Sequence, residues 1–243
     1  GGSASGPLFS YDANTGKRGF RDARLQVAPL GGLNMVCQRV VSTDQSKQLT
    51  PLRKRQLADQ FLLSLVAIWE RHPQLMPPSL VECTVEKVAV NAVMAGCRPE
   101  YLPVVLAALE AICTDEFNMH GVLATTRGVG PVLVVDGPIA QRIGMNAGIN
   151  VLGQGNRANL TIGRAVQLAV RNVGGGQPGG IDRATHGSPA KLSFCFAEDE
   201  AGSPWTTLAE DRCLHRPTDA VTAFCAEAPR HLVDAQSRLA EPS

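Results

Sequence analysis

Lys87 and Asn91 stand four residues apart, and Glu86 sits beside the lysine. On a helix the two are surface neighbours one turn apart. A lysine next to a carboxylate in a cleft can act as a base or as an anion clamp. On an open surface the same side chains are an ordinary solvated helix face. Thr125, Thr126 and Arg127 follow the apolar stretch Gly121-Val122-Leu123-Ala124, and Asn118 and His120 precede it. If that stretch is a strand, the two hydroxyls and the guanidinium stand beyond its carboxyl end. Ligands gather there in α/β sheets, and such groups hold carboxylates or phosphates. The alternative is a hydrogen-bonded turn with a surface arginine.

Residues 144–159 read Gly-Met-Asn-Ala-Gly-Ile-Asn-Val-Leu-Gly-Gln-Gly-Asn-Arg-Ala-Asn. Asn146, Asn150, Asn156 and Asn159 bring amide donors and acceptors, and Gly153 and Gly155 let backbone approach a ligand. The segment runs into Arg157 at a helix start, and helix starts favour anions. It has neither the Gly-Lys-Ser/Thr of a phosphate-binding loop nor a dinucleotide fingerprint. Asparagine also favours turns, so an elaborate structural loop is the competing reading. A second long loop, residues 174–188, carries Asp182, Arg183, Thr185 and His186, with Lys191 just beyond. Loops of this length inside a domain are often lids or binding loops, and His186 is an acid/base candidate. No His-x-x-x-His or Cys/His cluster occurs, so no metal site is assigned, and no cofactor is. Among the thiols, Cys83 falls near an expected helix start that would lower its pKa, and Cys97 falls past a helix end. For both, burial as an inert thiol competes with nucleophilic chemistry.

These groups need a scaffold, and the pattern predicts an α/β fold: a mixed or mostly parallel sheet flanked by helices, with an irregular N-terminal extension. Residues 1–50 are the extension, with one short strand near Met35–Val41. Residues 51–76 hold a helix, over 51–71, that packs on the core. Thr50 caps it, Pro51 opens it, and Pro73, Pro77 and Pro78 close it off. Residues 77–243 form the α/β core. Helices are expected over 82–95, where Val85, Val88, Ala89, Ala92 and Val93 make an apolar stripe, and over 99–112. A short helix is expected over 138–143 and the clearest one over 157–173. In the last, Arg157, Arg164 and Arg171 recur every seven residues as a separate stripe. Strands are expected over 121–126, 131–135, 191–197 and 220–225. The run Val132-Leu133-Val134-Val135 has the continuous apolarity of a strand covered on both faces. The segment from Pro229 reads as a fraying helix, residues 174–188 as a flexible loop, and Gly1–Gly6 as a linker.

The 243-residue chain carries 23 basic and 22 acidic side chains, a net charge of +1, and 5% aromatics. That balance points away from nucleic acid, which asks for a basic face and stacking platforms. No apolar run reaches the length of a membrane span. Seven cysteines, odd in number and without a Cys-x-x-Cys pair, read as reduced thiols of a cytoplasmic protein.

Several stretches resemble the long bacterial relatives of the UGSC-type (seleno)proteins, named for a selenocysteine- or cysteine-Gly-Ser-Cys motif. They are Thr84-Val-Glu-Lys-Val-Ala-Val-Asn-Ala-Val-Met-Ala-Gly-Cys-Arg-Pro-Glu-Tyr-Leu-Pro-Val-Val, Ala124-Thr-Thr, the Asn/Gly segment and Ala226-Glu-Ala-Pro-Arg. The resemblance covers about residues 77–237. It implies thiol-related redox or lyase chemistry on a small molecule, and a further Gly-rich α/β half beyond Ser243 in the long forms. The chain lacks the Cys-Gly-Ser-Cys tetrad, Arg127 stands where His is expected, and Cys213 where Gly is. Two functions follow as expectations. One is an enzyme, or half of one, acting on a small anionic molecule. Glu86, Lys87 and His186 would then do acid/base or clamp work. Asn91, Thr125, Thr126, Arg127, Asn146, Asn150, Asn156, Arg157 and Asn159 would hold the substrate. The other is a non-catalytic subunit docking a second protein that carries the redox thiol. A homo-oligomer fits either.

Overall fold

The computed structural model describes residues 10–11, 18–19, 26–29, 69, 74–212 and 219–229. Its centre is the apolar run anticipated above. Strand β6 (Gly130–Asp136) is buried at all seven positions. A seven-residue strand with no polar alternation can only sit inside a sheet with both faces covered. Its partners are β7 (Cys195–Ala197), parallel, and β8 (Ala220–Ala226), antiparallel. Strand β3 (Gln26–Pro29) then joins β8 antiparallel, giving the order β3-β8-β6-β7. The sheet is therefore mixed rather than mostly parallel, with one parallel pairing. Two small antiparallel pairs stand apart from it: β1 (Ser10–Tyr11) with β2 (Arg18–Gly19), and β4 (Gln74–Met76) with β5 (Val81–Cys83).

Register decides which side chains meet the helices. Leu133 lies opposite Ala223 and Cys195, and Val135 opposite Val221 and Ala197. All six belong to the main hydrophobic cluster, and Val132 and Val134, on the alternate face, are buried outside it. Three helices share that cluster: α1 (Val85–Ala95), α2 (Leu102–Ile112) and α5 (Arg157–Asn172). Helix α2 packs on β3, β6 and β8, α5 packs on β7, and α1 packs on α5 and α2. Helix α2 is buried at nine of its eleven positions, which is what a helix apolar on every side requires. Its Pro103 falls in the first turn, where no intrahelical donor is lost. Helix α5 begins at Asn156, whose side chain accepts from Asn159 N–H. It buries small residues, Ala158, Ala165 and Ala169, that let it lie close to its neighbours. Ile162, fully buried among them, contributes about 2 kcal/mol by leaving water.

Shorter helices are α3 (Met119–Ala124), α4 (Pro138–Arg142) and α6 (Leu208–Asp211). Each has a polar start. Asn118 caps α3, the Asp219 carboxylate accepts from Ile139 N–H in α4 at 2.7 Å, and Thr207 and Glu210 form a reciprocal capping box on α6. No helix among the described residues is long and apolar enough to cross a membrane.

Four expectations are corrected. Residues 121–126 are not a strand: α3 covers them as far as Ala124 and Thr125 caps it, because Met119, Val122 and Leu123 are buried at helical spacing behind the Asn118 cap. The helix expected over 82–95 starts later, at Val85, because Val81–Cys83 pairs with Gln74–Met76 and Thr84 is the cap. The strand expected over 191–197 shrinks to Cys195–Ala197, since Pro189 starts a 3-10 turn through Lys191. The buried stripe of α1 takes in Asn91 and leaves Val93 exposed. The strand near Met35–Val41, the segment after Pro229 and the helix over 51–71 lie outside the described residues. From that last helix only Trp69 is described, helical and buried, its indole N–H donating to Cys83 O at 3.0 Å.

Candidate functional site

Helix α5 and the segment after it enclose a groove of about 700 Å³. One wall is α5 itself. Arg164 and Arg171 are seven residues apart, so they fall on one side of the helix, and both line the groove. The other wall is the segment expected to be a flexible loop. Its backbone is fastened to the scaffold instead. Gly176 N–H donates to Val170 O at 3.1 Å, Arg183 N–H to Leu123 O at 2.9 Å and Thr185 N–H to Thr126 O at 2.9 Å. The Ser188 hydroxyl donates to Gly128 O at 2.6 Å. Gly128 itself has to be glycine for this contact, because a Cβ there would stand 2.7 Å from Gly187 O. Lys191 closes the arrangement. Its Nζ lies 3.1 Å from Asp182 Oδ1, both side chains only 13% exposed, and also donates to Val129 O at 3.2 Å. Thr185 and His186 complete this wall, and Leu123, Leu168, Val170 and Leu192 supply apolar surface.

The charges are unevenly balanced. Lys191 is neutralised by Asp182. Arg171 has a neutral partner, its Nε donating to Gln177 Oε1 at 3.3 Å. Arg164 makes no ion pair with any described residue. The groove thus presents two guanidiniums without an ion-pair partner among the described residues, its one lining carboxylate, Asp182, being paired with Lys191, and guanidinium forks match carboxylate and phosphate oxygens.

Of the residues expected to do acid/base work or to hold the substrate, His186 alone lines this groove; Asp182, Thr185 and Lys191, noted on the same loop, line it as well. Glu86, Lys87 and Asn91 border a separate depression of about 360 Å³. There Lys87 Nζ donates to Glu82 O at 2.5 Å. Asn91 is buried and works between helices: its Oδ1 accepts from Asn172 Nδ2 at 2.7 Å, and its Nδ2 donates to Lys87 O at 2.9 Å. Asn146, Asn150 and Asn156 border a third depression of about 370 Å³, but their amides are engaged in building the loop. Asn146 Oδ1 accepts from Gly148 N–H at 3.0 Å and its Nδ2 donates to Ile149 O at 3.0 Å. Asn150 Nδ2 donates to Gln154 O at 3.0 Å, and Asn156 Nδ2 to Gly144 O at 2.8 Å. Asn159 is the buried hub, accepting from Asn146 N–H at 3.1 Å and donating to Asn146 O at 2.9 Å and Val151 O at 3.2 Å. Arg157 heads the arginine stripe, but its Nε donates to Gly96 O at 2.9 Å and it does not line the groove.

Thr125, Thr126 and Arg127 follow a helix, so the strand-end argument does not apply to them. Thr125 Oγ1 accepts from Arg127 N–H at 3.3 Å, and Thr126 gives its carbonyl to the loop. The Arg127 Nε donates to Glu227 Oε1 at 2.9 Å, a pair that ties this turn to the end of β8. The candidate residues therefore do not converge on one pocket. Sequence reading undervalued Arg164 and Arg171, whose seven-residue spacing was the available signal.

The described thiols are ill suited to nucleophilic work. Burial pushes Cys83 up to about 11 against the opposing pull of Lys87, and Cys113 up to about 12, with nearby Cys83 and Glu110 adding to the rise. Burial also raises Cys97, Cys195 and Cys225. The lowered pKa expected for Cys83 at a helix start is thus reversed, because the residue lies in β5 and is fully buried. Cys37 and Cys213 lie outside the described residues. Among the described residues no group of three His, Cys, Asp or Glu side chains is placed to hold a metal ion.

Comparison with protein-family models, with curated proteins and with solved structures returns no match. The groove and its charges are therefore the ground on which function can be argued.

Proposed function

We propose that this chain binds a small anionic molecule in the groove between α5 and residues 176–192, as an enzyme or as half of one. The observation that carries the reading is the pair Arg164 and Arg171 on one wall, neither in an ion pair with a described residue, opposite a wall that carries His186 and whose one carboxylate, Asp182, is taken by Lys191. Two guanidiniums would hold and orient the anion. His186 is the groove's acid/base candidate, an imidazole that can accept or donate a proton. Lyase chemistry of the kind that starts with removal of a proton is the branch of the UGSC-type resemblance that these residues suit. Thiol redox chemistry would need a sulfur other than the five described thiols, each held protonated by burial. Cys37, Cys213, the substrate or a second chain are the sources left.

The test is a thermal-shift and calorimetric screen against small carboxylates and phosphates, with wild type beside Arg164→Gln, His186→Gln and Lys87→Ala. Ligand that binds the folded state raises the melting temperature by mass action. A shift in wild type and in Lys87→Ala, reduced in Arg164→Gln, supports the groove. A cooperative melt with no shift from any anion sinks the reading. A shift lost in Lys87→Ala instead moves the site to α1.

One observation favours the second function, docking of a partner chain. Helix α1 exposes Val90, Val93 and Met94, at 52%, 74% and 61%, the last two lying three and four residues after the first on one side of the helix. Apolar side chains clustered on a surface mark interaction sites more often than scattered ones do. Light scattering of wild type against Val93→Glu tests it: an oligomer or complex dissolved by the charge supports docking, and a monomer in both cases removes this reason for it.

A further inference from the structure

The anion-binding reading leaves the shape of the ligand open, and the two arginines bear on it. Seven residues of α-helix rise about 10 Å and fall only about 20° short of two full turns. The stems of Arg164 and Arg171 therefore leave the same side of α5 about 10 Å apart, and both line the groove. Arg171 has a side-chain partner of its own, away from Arg164 in the chain. Its Nε is held by Gln177 Oε1 at 3.3 Å, and Gln177 Nε2 is anchored in turn to Arg171 O at 3.1 Å. The terminal nitrogens of Arg171 remain for a ligand. Lys191, the other permanent cation in the groove, is occupied by Asp182. The positive charge is thus in two places rather than one, and Leu168 and Leu192 contribute apolar lining to the same groove.

An ion of phosphate size meets one arginine at a time in such a groove. A molecule with a carboxylate at each end and a hydrocarbon middle meets both, and covers apolar surface between them. We propose that the groove takes an elongated dianion of the α,ω-dicarboxylate class, with a chain of about eight carbons matching the two-turn rise. This rests on the anion-binding reading and specifies its substrate class. One carboxylate pairs with Arg164 and the other with the terminal nitrogens of Arg171. The chain lies along Leu168 and Leu192.

Titration calorimetry with succinate, suberate and dodecanedioate, which differ only in chain length, tests this, with octanoate as the single-headed control. Suberate is expected to bind at least about tenfold tighter than succinate or octanoate, because a second charge-assisted pair forms. Arg164→Gln and Arg171→Gln should each bring suberate down to the octanoate level while leaving octanoate within about threefold. Both side chains are exposed, and an unchanged melting temperature of each variant shows that the fold is intact. Binding of every carboxylate with equal affinity overturns the dianion inference and leaves the anion site standing. Binding of none of them, nor of inorganic phosphate, overturns both.

Discussion

Asp182 and Lys191 meet at 3.1 Å with each side chain only 13% exposed, and the pair adds a side-chain link to the backbone hydrogen bonds that fasten the far wall of the groove. Lys191 reaches on to Val129 O at the entry to β6, so the pair joins the loop to the central strand. Removing one partner of a shielded pair strands the other charge. Asp182→Asn is expected to cost about 3 kcal/mol, the lower end for buried pairs since some solvent reaches this one. Lys191→Met alone should cost a similar amount, and the double variant Asp182→Asn/Lys191→Met less than either, because no charge is left behind. Urea unfolding of the three variants measures the coupling. Additive losses would mean that the pair does not act as a unit.

Asn159 is the residue on which the Asn/Gly loop turns. Its amide nitrogen serves two carbonyls and its oxygen one N–H, all in a buried position. Asn159→Asp keeps the shape but sets a carboxylate oxygen against the carbonyls of Asn146 and Val151. The expected loss is about 2–3 kcal/mol, the cost of unsatisfied buried groups. Asn150→Asp, whose side chain is exposed and serves one carbonyl, should cost under about 1 kcal/mol. Melting curves of the two variants side by side decide whether the loop is built around Asn159. Equal losses would go against it.

The contrast between these asparagines shows what the sequence could and could not tell. Val132–Val135 was legible because continuous apolarity has one structural solution, a covered strand. Helix α5 was legible because a cap, Asn156, precedes a clear apolar period. Helix α3 was misread because Gly121-Val122-Leu123-Ala124 is too short to show a period, although Met119, Val122 and Leu123 already had helical spacing. Asn91 was assigned to a ligand because its partner, Asn172, is 81 residues away. The groove was invisible for a related reason. Its second wall is fastened largely by backbone groups, Arg183 to Leu123 and Thr185 to Thr126, and backbone hydrogen bonds leave no signature in side-chain identity.

The buried thiols give the protein an alkaline limit. Folded Cys83 and Cys113 hold their protons up to about 11 and about 12, from an ordinary value of 9.0. The unfolded chain releases them first, so between pH 9 and 11 the unfolded state binds fewer protons and stability falls as pH rises. Below pH 9 the contribution is complete. Cys83→Ala/Cys113→Ala, compared with wild type by urea unfolding across pH 8 to 11, should be less stable at pH 8 but flatter with pH. Parallel curves would show that these thiols ionise alike in both states.

Gly163 is a point of close approach between α5 and the segment that leads into β7. A Cβ at this position would stand 2.5 Å from Ser193 Oγ and 2.8 Å from Phe194 N. Ser193 is fixed there by its own bond to Leu160 O at 2.8 Å, and Phe194 O accepts from Leu133 N–H at 2.9 Å. Helix propensity alone would make alanine better than glycine by about 1 kcal/mol. The backbone of Phe194 cannot swing aside as a long side chain would, so steric cost should outweigh that gain. Gly163→Ala is expected to destabilise by about 1–3 kcal/mol, the range for overpacking. It should also weaken anion binding in the groove, because α5 must move away from residues 193–195 and carries Arg164 with it. Chemical denaturation gives the first number and titration with suberate the second. A variant as stable as wild type would show that α5 can shift at little cost, and that the groove is not held to one width by this contact.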